Sequence, residues 1–272
     1  MLTNSKKIKD TIGLSPRRLF VIGTHVFREI IRDRVLYLVG LYAILLFAAA
    51  GLLPEVAATT ENKITLDLGL AGIGLFGLVV VLFVGTGLVN KEIEKRTVLV
   101  LMAKPVSKAE FIVGKHLGLS AVLAVLLALM TLIYFVILFI FRIPFPFFSI
   151  IISVFYLFVE LSLLTAAAIL FGVFTSSLLA TFLTLAIYLM GHLSPDIVKL
   201  GQISKNPAIE RLTQGIYLIL PDLSRLDFKN QAVYGIQLLP DPGSLFLSLI
   251  YGLVYIVLLL AIAIIVFSRR QF

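Results

Sequence analysis

The chain has 272 residues, 60% of them hydrophobic and 14% charged, with a formal net charge of +8 and no cysteine. Soluble domains contain about 45–50% apolar and about 25% charged residues, so this composition excludes an ordinary water-soluble domain. The missing thiols exclude a disulfide framework and a cysteine nucleophile, and the histidines, His25, His116 and His192, lack the spacing of a zinc site.

Residues 1–34 form the first predicted unit, a basic cytoplasmic tail followed by an amphipathic helix. Residues 17–33 place their apolar side chains on one half of a helical wheel and most charged side chains on the other half. This pattern indicates an interfacial helix that lies among the lipid headgroups before the first span. The alternative is a helix that packs on the cytoplasmic face of the protein itself.

Residues 35–272 form the second unit, an all-α polytopic transmembrane domain. Each apolar run is long enough, at about 1.5 Å per helical residue, to cross about 30 Å of hydrocarbon. Gly172 and the Thr-Ser-Ser run at 175–177 mark the reversal that divides the longest run. The six predicted spans are 35–53, 68–89, 117–141, 147–173, 178–193 and 245–267. Residues 194–244 form an external segment, with a helix predicted over 208–220.

The positions of lysine and arginine predict the orientation of the chain, because cytoplasmic loops carry an excess of both. Eight precede span one and six lie between spans two and three, whereas the opposite loops carry few or balance them with acidic residues. Both termini are therefore predicted to be cytoplasmic. We expect the membrane to be a bacterial inner membrane. Topology and attraction to anionic lipid account for the basic excess, so we do not expect a nucleic-acid partner.

Gly72, Gly74 and Gly77 formally match the dinucleotide-binding pattern G-x-G-x-x-G, but they lie inside an apolar run of membrane length. That fingerprint needs a strand that ends at a solvated helix amino terminus. Small residues for close helix packing are therefore the better interpretation. The sequence has no G-x-x-x-x-G-K-[ST] loop, so any ATP-driven role would require a separate ATPase subunit that binds ATP and Mg²⁺. We expect no catalytic residue, metal or cofactor in this chain.

The densest charged stretch, Lys91–His116, is the candidate docking segment for such a subunit. Glu92 and Arg96 are four residues apart on a helix and can pair, and Pro105 ends that helix. A second helix, from about Ser107, leads into span three. A short helix with an apolar patch, held between two spans, suits docking into a groove on a partner protein. The alternative is an ordinary charged loop that satisfies the positive-inside rule.

The run KEIEKRTVLVLMAKPVSKAEFIVGK resembles the signature that follows span two in ABC type-2 transporter permeases. In both, a charged cluster, a Thr, a Leu-rich turn, a Pro, a basic residue and Gly-Lys occur in that order. Where the family commonly has Gly before the Thr, this chain has Arg96. The residues that the resemblance identifies as ATPase-coupling are Glu92, Glu94, Arg96, Thr97, Leu99, Leu101, Pro105 and Lys108.

This resemblance covers nearly the whole chain and implies the permease subunit of an ABC exporter. It further implies that the segment above is a coupling helix that receives the ATPase stroke. The implied partners are two ABC ATPase subunits and a second permease, either an identical copy in a homodimer or a paralogue. A central cavity between the two transmembrane bundles would then alternate between the two sides.

Glu160 is the only acidic residue deep in an apolar run, close to the middle of predicted span four. A charged carboxylate at mid-bilayer is costly unless it is paired, protonated or hydrated, so Glu160 is a candidate for the translocation path or its gate. We expect Ser162 and Thr165 as hydrogen-bond partners. The alternative is a protonated glutamate with a structural role at a helix interface.

The outer end of predicted span five offers two further candidates, His192 and Lys199, which could meet substrate at the exit or simply anchor the helix. The external segment 194–244 could form a lid or contact a periplasmic partner. Two other functions stay open. An ion-coupled secondary transporter would use Glu160 and typically shows inverted repeats, whereas a membrane enzyme needs clustered catalytic groups within its spans. Neither pattern is clear in the sequence.

Overall fold

The computed structural model describes residues 15–32, 35–56, 61–94, 107–204 and 206–269, and every regular element in these ranges is helical. A π-helical turn, Val81–Gly85, joins α3 to α4, and 3-10 turns at Leu223–Arg225 and Ile236–Leu238 flank α9. The α-helices are α1 (Pro16–Arg32), α2 (Tyr37–Val56), α3 (Glu61–Val80), α4 (Gly87–Glu94), α5 (Lys108–Ile140), α6 (Phe147–Phe174), α7 (Ser177–Ile203), α8 (Pro207–Ile219), α9 (Lys229–Ala232) and α10 (Pro242–Arg269).

Within the described ranges, six helical segments are long and apolar enough to cross a membrane. The predicted all-α polytopic architecture is therefore confirmed. α5 begins well before predicted span three and α7 continues well past predicted span five, because polar residues follow the same helical axis beyond the apolar run. The six segments are Tyr37–Pro54, Asn62–Asn90, Lys108–Ile140, Phe147–Phe174, Ser177–Ile203 and Pro242–Arg269.

Helix α6 lies at the centre of the bundle and contacts α5, α7, α9 and α10. Residues 159–170 of this helix are all buried. The stretch is rich in Ser, Thr and Ala, small residues that let neighbouring helices approach closely. The side chains of residues 159–170 therefore face other helices rather than lipid, and Glu160 is among them.

Helix α5 begins at a capping box. The hydroxyl of Ser107 accepts the backbone N–H of Glu110 at 3.1 Å, and the Glu110 carboxylate accepts the backbone N–H of Ser107 at 2.9 Å. The same carboxylate accepts the backbone N–H of Ser15 at 2.8 Å. One buried glutamate thus satisfies donors before α1 and before α5, and α5 starts where the sequence predicts it.

Helix α1 packs along the first turns of α5. A Cβ atom on Gly118 would lie 2.6 Å from Cβ of Val26, so only glycine fits between the helices. Val26 and Ile30 are buried against α5, whereas Phe20 and Val21 are exposed. Packing on the protein itself therefore covers part of the apolar face of α1, and its position among the headgroups stays a prediction.

Residues 221–239, which we call the plug segment, return from α8 into the bundle between α6, α7 and α10. Leu223 and Leu226 are completely buried. A Cβ atom on Gly191 of α7 would lie 2.8 Å from the carbonyl oxygen of Pro221, which explains the glycine there. The ring of Phe228 meets Tyr156 of α6 edge to face at 4.9 Å. The plug segment is thus part of the packed core.

Candidate functional site

Most of the predicted ATPase-coupling residues, Arg96, Thr97, Leu99, Leu101 and Pro105, lie outside the described residues. Glu94 is described only as the last residue of α4. The two flanks of the coupling segment are described, through Glu92 and Lys108, and they show how the segment is attached to the bundle.

The first attachment is an ion pair between Glu92 of α4 and Lys115 of α5. The Lys115 side chain is only 6% exposed, and its ammonium lies 5.6 Å from the ring centre of Phe111. A buried ammonium is costly without a partner, so the carboxylate of Glu92 offsets the desolvation of Lys115. The pair holds α4 against α5.

The second attachment is Asn90 of α4, which the sequence does not single out. Its side-chain amide donates hydrogen bonds to the carbonyl of Thr175 and, at 3.5 Å, to that of Gly172. These carbonyls belong to the carboxyl end of α6, where the helix itself supplies no N–H partner. A Cβ atom on Gly172 would lie 2.9 Å from the carbonyl oxygen of Thr86, so the two backbones nearly touch.

The π-helical turn lies just before this contact. The carbonyl oxygen of Leu82 accepts the hydroxyl of Thr86 at 2.6 Å and that of Thr181 of α7 at 3.3 Å. The two threonine hydroxyls are 3.0 Å apart. Single π turns inside α-helices are frequent at functional sites, and this one lies between the membrane part of α3 and the coupling flank.

The third attachment is Lys108 at the start of α5. Its ammonium donates to the carbonyl of Ser268 at 3.0 Å, in the last turn of α10. A cation is favourable there because the last carbonyls of a helix lack N–H partners and carry partial negative charge. The coupling flanks are thus joined to α5, α6, α7 and α10.

Glu160 belongs to a second site, and its predicted partners are wrong. The Ser162 hydroxyl lies 3.2 Å from that of Ser120, and the Thr165 hydroxyl donates to the carbonyl of Leu161 at 2.8 Å. Neither hydrogen-bonds Glu160, because both side chains have nearer partners. The nearest charged neighbour of Glu160 is instead His192 of α7, with 3.5 Å between Oε1 and Nε2.

His192 joins Glu160 to the plug segment. Its Nε2 atom lies 3.5 Å from Glu160 and 3.5 Å from Asp227. Its Nδ1 atom donates to the carbonyl of Tyr188 at 3.0 Å, which fixes the ring and sets Nε2 between the carboxylates. Lys229 completes the site, with its ammonium 3.3 Å from Asp227. We call Glu160, His192, Asp227 and Lys229 the charged cluster.

Local sequence helps to position His192 and Lys229 of the charged cluster. Pro195 has no N–H for the carbonyl of Gly191, and the hydroxyl of Ser194 donates to that carbonyl at 3.2 Å instead. The Lys229 side chain lies against Gly74 of α3, where a Cβ atom would be 3.5 Å from the ammonium. The glycine pattern in α3 therefore makes room for a lysine from the plug segment.

Asp227 and Lys229, the two members of the charged cluster that come from the plug segment, are electrostatically matched. Burial alone would raise the pKa of Asp227, but the His192 and Lys229 charges outweigh burial and lower the pKa below its ordinary value. Burial alone would lower the pKa of Lys229, but the carboxylates of Glu160 and Asp227 outweigh burial and raise the pKa above its ordinary value. Both groups therefore stay charged near neutral pH.

A cleft of about 510 Å³ opens beside the charged cluster. Its walls are mostly apolar and come from α2 and α3, while Tyr188 and Lys229 form its polar end. A smaller cleft of about 270 Å³, at Ile64 and Asp67, also ends at Lys229. The Lys229 side chain thus lies across a groove that follows α3.

Lys199, which the sequence offers as a candidate, takes no part in either site, and neither does His116. The Nε2 atom of His116 lies 3.1 Å from the carbonyl oxygen of Ser162, inside the bundle. Lys199 is exposed and pairs with Asp196 at 3.1 Å.

Comparison with known proteins gives one family. No curated protein matches the chain. The model of the family described as ABC-2 family transporter protein matches residues 21–272, which include both coupling flanks and the charged cluster. Members of this family are membrane-spanning transporter subunits that associate with ABC ATPases. The chain therefore belongs to the ABC-2 transporter family and is the membrane-spanning permease of an ABC transporter.

Proposed function

We propose that this permease belongs to an exporter and that a separate ATPase drives it through the segment between α4 and α5. The observation that carries the proposal is the attachment of both flanks of that segment to the bundle. Asn90 and Glu92 hold the α4 side, and Lys108 holds the α5 side. A force on residues 95–106 would therefore move helices rather than a slack loop.

The route from the coupling flank to the charged cluster runs along α6. Gly172, at the Asn90 contact, and Glu160 lie on the same helix, about 18 Å apart along its axis at about 1.5 Å per residue. A rigid helix can carry a displacement over that distance when it has two packed positions. Movement of α4 would thus reach the point where α6 and α7 meet the plug segment.

The assembly that we propose contains two ABC ATPase subunits, which bind ATP and Mg²⁺, and a second copy of this chain as a homodimer. Basic residues before α2 and between α4 and α5 support cytoplasmic termini in a bacterial inner membrane, by the positive-inside rule. The plug segment would then lie toward the outside. An outward direction of transport rests on the family resemblance.

Ion-coupled secondary transport is the second candidate function. The observation that favours it is the burial of Glu160, whose two carboxylate oxygens have no hydrogen-bond partner. An intramembrane carboxylate of this kind is a typical proton or cation site. In that case ATP would not be needed for transport.

Co-purification of the chain with the ATPase encoded nearest to its gene tests the first proposal. The substitution Leu101→Asp places a charge in the apolar patch of the coupling segment and should abolish co-purification. Leu238→Asp, at a leucine that is 57% exposed in the plug segment, is the matched control and should leave co-purification intact.

Two results would overturn the exporter proposal. One is an equal loss of the ATPase in both variants, which would mean that Leu101 is not part of a docking site. The other is solute or proton movement in liposomes that contain this chain alone without ATP, which would support the secondary transporter.

A further inference from the structure

The charged cluster connects three separate parts of the chain, and its groups meet where water has little access. Glu160 comes from α6 and is 1% exposed in its side chain, and His192 comes from α7. Asp227 and Lys229 come from the plug segment, and Gly74 of α3 lies against the Lys229 side chain. The titratable groups of the described residues that face one another here are Glu160, Tyr188, His192, Asp227 and Lys229.

The geometry of His192 requires a proton in this cluster. Because Nδ1 donates to the carbonyl of Tyr188, Nδ1 carries a hydrogen whether the ring is neutral or charged. A neutral ring would then direct the lone pair of Nε2 at two carboxylates, each 3.5 Å away. That arrangement is repulsive, and a second proton on Nε2 or a proton on a carboxyl group removes the repulsion.

We propose that Glu160, His192 and Asp227 form a proton-binding site and that the bound proton holds the plug segment against α6 and α7. With the proton bound, two carboxylates face one ammonium and one imidazolium, so the charges balance. Without it, the cluster has one excess negative charge and an unprotonated Nε2 between two carboxylates. The plug segment carries Asp227, so its release is the way to separate those groups.

Glu160 and His192 face each other at 3.5 Å, and we assign the exchangeable proton to this pair because the other two members of the cluster keep their charges near neutral pH. Asp227 has a lowered pKa, so its stabilising charge is lost only in strong acid, as the pH falls through that pKa. Lys229 has a raised pKa, so its stabilising charge is lost only in strong alkali, as the pH rises through that pKa. Histidine is the side chain whose charge ordinarily changes between about pH 5 and 8.

Thiol labelling tests this proposal because the chain has no cysteine of its own. Leu226→Cys places a reporter at a fully buried position of the plug segment, and Asn230→Cys places a reference at an exposed one. Each chain is reconstituted in nanodiscs without an ATPase and treated with a membrane-impermeant maleimide. The ratio of the two labelling rates corrects for the pH dependence of the thiol itself.

We expect this ratio to rise on the order of tenfold from about pH 6 to about pH 8.5, which corresponds to one pKa unit of coupling between the proton and the docked plug segment. His192→Gln, which keeps a neutral N–H donor, should make the ratio independent of pH. His25→Gln, at an exposed histidine of α1, is the matched control and should retain the rise.

Glu160→Gln is the second variant, and it tests the proposal even if His192→Gln does not fold. Its amide can donate to Nε2, so the plug segment should stay docked at every pH. A ratio that does not change with pH in the parent chain would overturn the proposal. If both the His192→Gln and the Glu160→Gln variants kept the pH-dependent rise of the parent chain, the proposal would also be overturned.

Discussion

Replacing Asn90 with leucine should separate α4 from the carboxyl end of α6 while keeping the size of the side chain. The variant loses the amide hydrogen bond to Thr175 and the longer one to Gly172. An unsatisfied buried carbonyl costs about 1–3 kcal/mol, and because the Gly172 bond is long, we count one such group. One or two kcal/mol changes a population ratio about 5–30-fold, so detached forms of α4 should become common.

The assay is ATP-driven transport compared with ATP hydrolysis in proteoliposomes that contain the permease and its ATPase. Asn90→Leu should leave hydrolysis close to the parent rate and reduce transport per ATP on the order of tenfold. Asn62→Leu, at an exposed asparagine at the start of α3, is the control and should change neither quantity. An unchanged transport yield in a folded Asn90→Leu protein would refute the proposed route through α4 and α6.

Two further predictions concern stability, measured as the thermal midpoint in detergent. Gly118→Ala should lower the free energy of unfolding by about 1–3 kcal/mol, since the new Cβ would overlap Val26, whereas Gly40→Ala, with open space around it, should be neutral or stabilising. Equal midpoints would contradict the tight packing of α1 on α5. Lys115→Met should destabilise the protein by about 1–2 kcal/mol, because it removes the buried ammonium that pairs with the partly buried carboxylate of Glu92, whereas Lys199→Met removes an exposed pair and should stay within about 0.5 kcal/mol. Similar effects at both lysines would show that the Glu92 pair contributes little.

Local signals in the sequence were sufficient for the six spans and for the start of α5. The capping box at Ser107 is complete within four residues, and hydropathy alone finds the six spans. Glu160 could be singled out because burial of a carboxylate is costly wherever the helix packs. Each of these features is determined by a short stretch of chain and by whether that stretch lies in water or in lipid.

Contacts between distant parts of the chain could not be predicted in the same way. Asp227 and Lys229 lie far along the chain from Glu160, and nothing in their composition says which helix they face. The available signal was the alternation of charged residues with Leu226 and Phe228, which is unusual for a solvated loop. Thr165 failed as a partner of Glu160 because its hydroxyl bonds the carbonyl four residues back, and Ser162 failed because its hydroxyl meets that of Ser120 in α5. The coupling residues from Arg96 to Pro105 stay a prediction.

The π-helical turn at Val81–Gly85 determines which way α4 faces. A π turn contains one more residue than an α-helical turn, and one residue corresponds to about 100° of rotation about the helix axis. Conversion of this turn to regular α-helix would therefore swing Asn90 away from α6 and Glu92 away from Lys115. We expect the insertion or deletion of one residue here to disturb the bundle more than a side-chain substitution, because the number of residues in this turn sets the orientation of α4.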